Sequence, residues 1–190
     1  RSLAIIGAGS SGLIVLKNAI AQVPDWDGHC FEIRDSVRVC WGNPYPGFIS
    51  TSTKFTTQFS AYRKYDDSVD LAGRQRYTEF FRDNEYGDYL EAFAAEFDLY
   101  RYISFRTRVT RVESSDKEWI VHSEKDELSR QTFSAVIVAT GLAQKPRKLV
   151  ADLPYVRDGS ELESIKGKKI VVMGGGESAA DIANRLARSD

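Results

Sequence analysis

The chain has 190 residues, of which 42% are hydrophobic and 12% aromatic, and 26 basic against 27 acidic side chains give it a formal net charge of −1. A chain of this length buries roughly 70% of its unfolded surface on folding, so intrinsic disorder and a small disulfide scaffold are excluded. The balanced charge argues against a nucleic-acid binder, and the apolar runs fall short of the roughly 18–20 residues that span a bilayer.

The predicted elements alternate between strands and helices from the first residues onward. Residues 3–6 are wholly apolar, as in a central parallel strand that is covered on both faces. Residues 10–23 place apolar side chains at helical spacing, and Pro24 follows. The remaining elements, in chain order, are a strand at 29–34, a long loop at 35–70, helices at 77–82 and 85–99, strands at 103–112, 119–122, 128–133 and 135–139, a strand at 169–173 and a helix at 177–187.

This order predicts an α/β fold with a parallel sheet at its centre. We expect a Rossmann-like domain over residues 1–148, which includes an active-site loop at 35–70 and an antiparallel β-meander at 103–133. Residues 149–190 then begin a second Rossmann-like domain. Regular elements run up to both ends of the sequence, which indicates a segment of a longer protein. The aromatic stripe of residues 85–99 predicts a core-facing helix side.

A glycine-rich turn connects the first predicted strand to the first predicted helix. Its glycines have the spacing that allows a tight turn, a close approach of backbone to a diphosphate, and helix–strand packing. Glu32 ends the next strand, twenty residues after Gly12 in the sequence. At this sequence separation from such a turn, a carboxylate accepts hydrogen bonds from ribose hydroxyls. The alternative is a structural turn followed by a surface glutamate. The predicted diphosphate cradle consists of Gly7, Ala8, Gly9, Ser10, Ser11 and Gly12.

A second turn, at residues 174–179, repeats the arrangement with alanine in the third glycine position. We expect Gly174 and Gly176 to approach a phosphate and Ser178 to donate its hydroxyl to it. Asp181, expected in the first helical turn, either contacts a cofactor or stabilises the helix through its dipole. Two such turns predict that the chain binds two dinucleotides. The natural pair is a nicotinamide and a flavin, between which a hydride is transferred.

Several further stretches together resemble the flavin-containing monooxygenases. The resemblance covers nearly the whole chain, although each stretch by itself is weakly specific. The stretches are Ala139-Thr140-Gly141 followed by Pro146, residues 31–35 running on to Trp41, Tyr45-Pro46-Gly47, Thr51-Ser52-Thr53-Lys54, Phe59-Ser60, the aromatic helix 85–99, and residues 166–169 leading into 174–182.

The resemblance implies an enzyme that uses FAD and NADPH with a small-molecule substrate and O2. NADPH reduces FAD, O2 forms a C4a-hydroperoxide, and a soft N or S nucleophile takes one oxygen, so no catalytic side chain and no metal is needed. FAD would lie on residues 7–12 with Glu32 at its adenosine ribose, and residues 178–181 would hold NADPH. The other implied cofactor neighbours are Cys40 and Trp41 beside the isoalloxazine, Thr51 and Ser52 between flavin and nicotinamide, the backbone of Val109 at the adenine, and Thr140 and Gly141.

The sequence departs from the family pattern at three places. Arg38 and Val39 stand where the family has two glycines, Thr51 replaces an asparagine, and residues 149–165 lack the histidine of the family's identifying segment. We expect Arg38 and Val39 to crowd FAD and weaken its binding, or Arg38 to pair with a phosphate.

Two other functions stay open at this stage. A flavin-dependent reductase that passes electrons to a disulfide needs two close thiols, whereas Cys30 and Cys40 stand ten residues apart. A non-catalytic nucleotide-binding remnant would explain the departures from the family pattern. Two cysteines and two histidines are too few for a Cys/His metal cluster, and free thiols favour a reducing compartment, so we expect a cytoplasmic protein.

Overall fold

A computed structural model describes residues 1–45, 47–65, 79–125, 127–141, 165 and 167–188 of the chain. Strands and helices alternate at first and are followed by a run of strands, as the pattern of hydrophobic residues predicts. The elements are β1 (Ser2–Ile6), α1 (Ser10–Gln22), β2 (Asp27–Phe31), β3 (Ile49–Thr53), α2 (Lys54–Thr57), β4 (Phe80–Arg82), α3 (Glu85–Glu96), β5 (Ile103–Ser104), β6 (Arg108–Ser115), β7 (Glu118–Glu124), β8 (Leu128–Phe133), β9 (Ala135–Val138) and α4 (Glu177–Ala187).

A four-stranded parallel sheet with the order β5-β2-β1-β9 lies at the centre of the fold. Its central strand β1 pairs Ile6 with Phe31 of β2 on one side and with Val138 of β9 on the other. The side chains of Leu3 to Ile6 are at most 9% exposed, because helices and strands cover both faces of a central parallel strand. The predicted α/β class and the Rossmann-like parallel sheet are confirmed.

The β-meander is a three-stranded antiparallel sheet with the order β6-β7-β8. It packs on the parallel sheet through one apolar cluster, in which Ala4 and Phe31 of the parallel sheet meet Val121 and Phe133 of the meander. The rings of Phe31 and Phe133 meet edge to face, with their centroids 5.9 Å apart. This contact joins the two sheets.

Helices α1 and α3 bury one side each. Leu13 and Leu16 of α1 are fully buried, and they lie three residues apart on one helix face. On α3 the aromatic stripe faces the core as predicted, since Tyr86, Tyr89 and Phe93 are at most 6% exposed. None of the helices among the described residues is long and apolar enough to cross a membrane.

The contacts divide the chain into two compact units. The first comprises residues 1–42 and 85–146, and the second comprises residues 43–84 and 147–190. In the second unit β3 and β4 pair antiparallel, and Thr53 caps α2 by accepting a hydrogen bond from the Thr56 N–H. The predicted domain boundary between residues 148 and 149 lies outside the described residues, as do residues 149–164. The domain division therefore stays a prediction.

Four predicted segments differ from the structure in kind or in pairing. The predicted loop at 35–70 contains β3 and α2, which pair or cap locally. The predicted strand at 103–112 is divided, because β5 pairs parallel with β2 whereas β6 belongs to the antiparallel meander.

Residues 80–82 form β4, although the sequence predicts a helix at 77–82, whose first residues are not described. Phe81 is buried while Phe80 and Arg82 are exposed, which is the alternation of a strand. Residues 169–173 were predicted as a strand, yet they pair with no strand among the described residues, and Val171 is 85% exposed. An apolar run becomes a strand only where a partner accepts and donates its backbone hydrogen bonds.

Candidate functional site

The turn between β1 and α1 requires glycine at two positions. Gly7 has a φ of 102°, and a Cβ on it would lie 2.5 Å from the carbonyl oxygen of Ala139. A Cβ on Gly12 would lie 1.8 Å from the carbonyl oxygen of Gly7. Both distances are far below van der Waals contact, so a side chain at either position would displace the backbone of the turn.

The same turn leaves backbone N–H groups available at the start of α1. Gly9 is the N-cap and has no side chain that could accept a hydrogen bond, and the first turn of α1 carries no acidic residue. The earliest helical hydrogen bond runs from the Leu13 N–H to the Gly9 carbonyl oxygen, at 2.9 Å. The N–H groups of Ser10, Ser11 and Gly12 therefore have no acceptor within the helix, and such a helix start attracts a phosphate.

Glu32 follows β2 and is buried against the turn, with 3% of its surface exposed. One carboxylate oxygen accepts a hydrogen bond from the Ala8 N–H at 2.7 Å, and the other accepts one from the Arg34 N–H at 2.8 Å. These two bonds satisfy a buried carboxylate that would otherwise be costly to bury, and they hold the turn in its conformation. The predicted contact with a ribose would use the remaining lone pairs of the two oxygens.

Residues Val37 to Gly42 lie beside this turn in the first unit. Arg38 donates from Nε to Glu91 of α3 at 2.9 Å, and its Nη2 pairs with Asp88 of the same helix. The structure thus places the Arg38 guanidinium against two carboxylates, whereas one of the two predictions paired it with a phosphate. Val39 adopts a φ of 44°, and its Cγ2 lies 3.4 Å from the position that a Cβ on Gly9 would occupy.

Tyr86 of α3 connects the aromatic residue of this segment to the turn. Its ring meets Trp41 edge to face with the centroids 5.0 Å apart, and its hydroxyl donates to the Ser10 Oγ at 3.0 Å. Burial raises the pKa of Tyr86, partly offset by the bond to Ser10, so the hydroxyl stays protonated and remains a donor. Trp41 is thus connected to the turn through Tyr86, and Cys40 beside it is exposed. Their predicted place beside an isoalloxazine stays a prediction.

Thr140 also reaches the turn, because it lies two residues after the end of β9. The Ala139 N–H donates to the Ile6 carbonyl oxygen at 2.8 Å, and the Thr140 Cα lies 3.3 Å from the position of a Cβ on Gly7. Gly141 follows with a φ of 76°. Val109 of β6 packs its partly buried side chain against the apolar cluster between the two sheets, and the predicted contact of its backbone with an adenine stays a prediction.

The second glycine turn belongs to the second unit. Gly174 has a φ of 132°, and α4 begins after Gly176, whose carbonyl oxygen accepts from the Ala179 and Ala180 N–H groups at 3.0 and 3.1 Å. A Cβ on Gly175 or Gly176 would meet no atom of the described residues within 4 Å. The turn is therefore open on the side of these two glycines, and Ser178 lies exposed beside them in the first turn of α4.

Asp181 lies in the second turn of α4, since the helix begins at Glu177. The prediction that placed it in the first turn, where a carboxylate complements the helix dipole, is wrong for this reason. Its carboxylate accepts from the Tyr45 hydroxyl at 3.2 Å and pairs with Arg185 at 2.9 Å. Arg185 also lies over the Tyr45 ring and donates to the Gly47 carbonyl oxygen, so this network holds Tyr45 and Gly47 against α4.

Thr51 and Ser52 lie on β3, also in the second unit. Ser52 Oγ is 2.7 Å from the Thr57 Oγ1, and the Ser50 Oγ donates to the Ser52 carbonyl oxygen at 2.7 Å. The hydroxyl of Ser52 is thus hydrogen-bonded to its own α2 neighbour, and Thr51 is exposed. Their predicted place beside a flavin stays a prediction.

The family model described as flavin-binding monooxygenase-like matches residues 1–190 of the chain. The chain belongs to this family. Over 215 aligned residues it is 27% identical to human (Homo sapiens) dimethylaniline monooxygenase [N-oxide-forming] 4, and the match covers 100% of this chain and 37% of that protein. The chain thus spans little more than a third of this relative.

Two solved structures share the fold. S-allyl-L-cysteine S-oxygenase from Allium sativum superposes with a TM-score of 0.77 at 22% identity, which covers 99% of this chain and 49% of that one. A steroid monooxygenase bound to NADP superposes with a TM-score of 0.60 at 25% identity, and covers 74% of this chain and 26% of that one. The predicted membership of the flavin monooxygenase family is confirmed.

Sequence reasoning missed the residues of α3 that support the turn of residues 7–12. Asp88 and Glu91 were read as part of a helix chosen for its aromatic stripe, and Tyr86 was read only as a core residue. A signal was present, because Asp88 and Glu91 stand three residues apart and so place two carboxylates on one helix face. Their partner Arg38 could not be named, since it lies 50 residues from Asp88 in the sequence.

Proposed function

We propose that the chain forms the FAD-binding part, and the beginning of the NADPH-binding part, of a monooxygenase that transfers one oxygen atom from O2 to a soft nitrogen or sulfur nucleophile. The turn of residues 7–12 carries this proposal. Its backbone N–H groups at the start of α1 lie beside a buried carboxylate, and this combination suits a diphosphate followed by a ribose.

The residues around the turn would bind and orient FAD. Ser10, Ser11 and Gly12 would donate backbone N–H groups to the diphosphate, and Glu32 would accept from the ribose while it keeps its bond to Ala8. Cys40, Trp41, Thr51, Ser52, Val109, Thr140 and Gly141 would line the rest of the cofactor. FAD when bound supplies the redox and oxygen chemistry, and the protein supplies position and shelter from water.

The second turn would receive the diphosphate of NADPH. Gly174 and Gly176 would provide close approach, and the Ser178 hydroxyl would donate to a phosphate oxygen. Asp181 would act by holding Tyr45 against α4 and by pairing with Arg185. A match to the family along all 190 residues supports both cofactors.

The cysteines give no support to the disulfide-reductase alternative. Cys30 is buried, and burial together with the nearby Glu32 raises its pKa to about 12, so its thiol stays protonated. Its Sγ lies 3.6 Å from the Gly7 carbonyl oxygen, where it packs under the turn. A disulfide exchange needs an ionisable thiol close to a second one. Two free thiols suit a reducing compartment such as the cytoplasm.

The test uses the purified full-length protein with NADPH and dimethylaniline, the substrate class named for the human relative. We expect flavin absorption bands and O2 uptake that increases with the amine and yields its oxygenated product. Rapid dye reduction without oxygen transfer to the amine would instead identify a reductase. A colourless protein that takes up no FAD would identify a nucleotide-binding remnant.

A further inference from the structure

Val39 has a backbone conformation that its side chain disfavours. Its φ of 44° lies in the left-handed region, which L-residues with a branched Cβ adopt only as outliers. Such a conformation persists where the surrounding structure holds it in place. Val39 is half-buried and opens the short helical turn Val39–Gly42.

The neighbours of Val39 are anchored on both sides, which explains why the strained conformation is kept. Val37 is fully buried, and Arg38 is held by Asp88 and Glu91 of α3. On the other side, Trp41 packs closely on α3, where a Cβ on Gly87 would lie only 2.9 Å from the Trp41 carbonyl oxygen. The two anchors leave Val39 little freedom to move away from the turn of residues 7–12.

The side chain of Val39 lies over the second glycine of that turn. Its two γ-methyl groups lie 3.4 and 4.0 Å from the position of a Cβ on Gly9. Apart from Gly9 and its two chain neighbours, no other atom of the described residues lies within 4 Å of that position. The second glycine of such a turn exposes bare backbone so that a diphosphate can approach it. The methyl groups therefore occupy part of the space that this glycine keeps open.

We propose that Val39 determines the affinity of the first glycine turn, by restricting the approach of a dinucleotide diphosphate to Gly9. The proposal rests on the proposed FAD-binding function and deepens it, because it names the side chain that limits binding. Arg38 contributes indirectly: its ion pairs with α3 hold the segment in place, and its guanidinium is directed to Asp88 and Glu91.

The test compares FAD affinities of the full-length apoprotein and three variants by fluorescence titration. Val39→Ala removes the γ-methyl groups and keeps a Cβ in the left-handed conformation, so it isolates crowding from backbone strain. Val39→Gly removes both. Asp116→Gly is the matched control, since Asp116 also has a left-handed φ, of 39°, but lies between β6 and β7 of the meander.

We expect Val39→Ala and Val39→Gly to lower the Kd for FAD about tenfold, because relief of overpacking in a close contact is worth roughly that factor. Val39→Gly should also raise the midpoint of thermal unfolding without FAD, as Asp116→Gly should, whereas Asp116→Gly should leave the Kd unchanged. An unchanged or higher Kd in Val39→Ala, with the parent protein binding FAD, overturns this proposal alone. If neither the parent protein nor the Val39 variants bind FAD, both this proposal and the proposed function are overturned.

Discussion

Glu32 shows how one buried carboxylate serves the glycine turn. Its two oxygens accept from the backbone N–H groups of Ala8 and Arg34, one on each side of the strand end. Because both donors are backbone groups, the carboxylate shapes the turn whether or not a nucleotide is bound. A ribose contact and a structural role are therefore compatible in this one residue.

We predict that Glu32→Gln destabilises the protein by about 1–3 kcal/mol. An amide nitrogen cannot accept a hydrogen bond, so either the Ala8 or the Arg34 N–H loses its partner in a buried site. Urea unfolding of the parent and the variant measures the difference. Glu118→Gln, on the exposed end of β7, is the control and should have the same urea midpoint of unfolding as the parent protein. Equal midpoints for Glu32→Gln and Glu118→Gln would show that the two bonds contribute little.

At the scale of elements, the first glycine turn is defined by close backbone packing and the second by open space. Gly12 sits where a Cβ would collide with the Gly7 carbonyl oxygen, whereas a Cβ on Gly175 would lie more than 4 Å from every other part of the chain that the structure describes. The two turns have similar glycine patterns, yet only the first excludes a side chain by steric contact, because it is enclosed by β1, β9 and α1.

Gly12→Ala should cost about 3 kcal/mol or more of folding free energy, since the backbone of the turn must shift to admit the methyl group. Gly175→Ala serves as the matched variant in the second turn and should change stability by about 0.5 kcal/mol or less. Denaturant titration measures both, and soluble yield records a variant that fails to fold. Comparable losses in the two variants would contradict the contrast drawn from the two turns.

At the scale of the whole molecule, each compact unit contains one glycine turn with its own supporting side chains. In the first unit α3 supports the turn through Tyr86. In the second unit Tyr45 binds Asp181 of α4, and Asp181 also pairs with Arg185 of the same helix. If each turn holds one dinucleotide, the two ligands should protect different segments of the backbone.

Hydrogen exchange of the full-length protein measures this protection. We expect FAD to slow exchange in residues 7–12 and 38–41, and NADP⁺ to slow exchange in residues 174–180, because a bound phosphate accepts from the N–H groups at a helix start. ADP-ribose, which has a diphosphate and no flavin, is a suitable control ligand for the first segment. Slowing by FAD that is confined to residues 174–180 would contradict the assignment of the two turns.

Local pattern was sufficient for most of the fold. Apolar runs predicted β1 and β9, helical spacing predicted α1, α3 and α4, and alternation predicted the β-meander, because these periods directly reflect which face of an element is buried. Glycine spacing likewise placed both turns. The family followed from several weak motifs taken together, and the match to residues 1–190 confirms it.

Long-range contact decided the rest. Residues 80–82 became a strand only because β3 pairs with them, and the apolar run at 169–173 has no such pairing among the described residues. The ion pairs of Arg38 and the position of Val39 over Gly9 join residues that are distant in sequence. By itself, the amino-acid order determined the elements and the kind of ligand that the turns suit. The tertiary structure alone decided which side chain lies over the first turn, because steric contact depends on positions in space that no local period encodes.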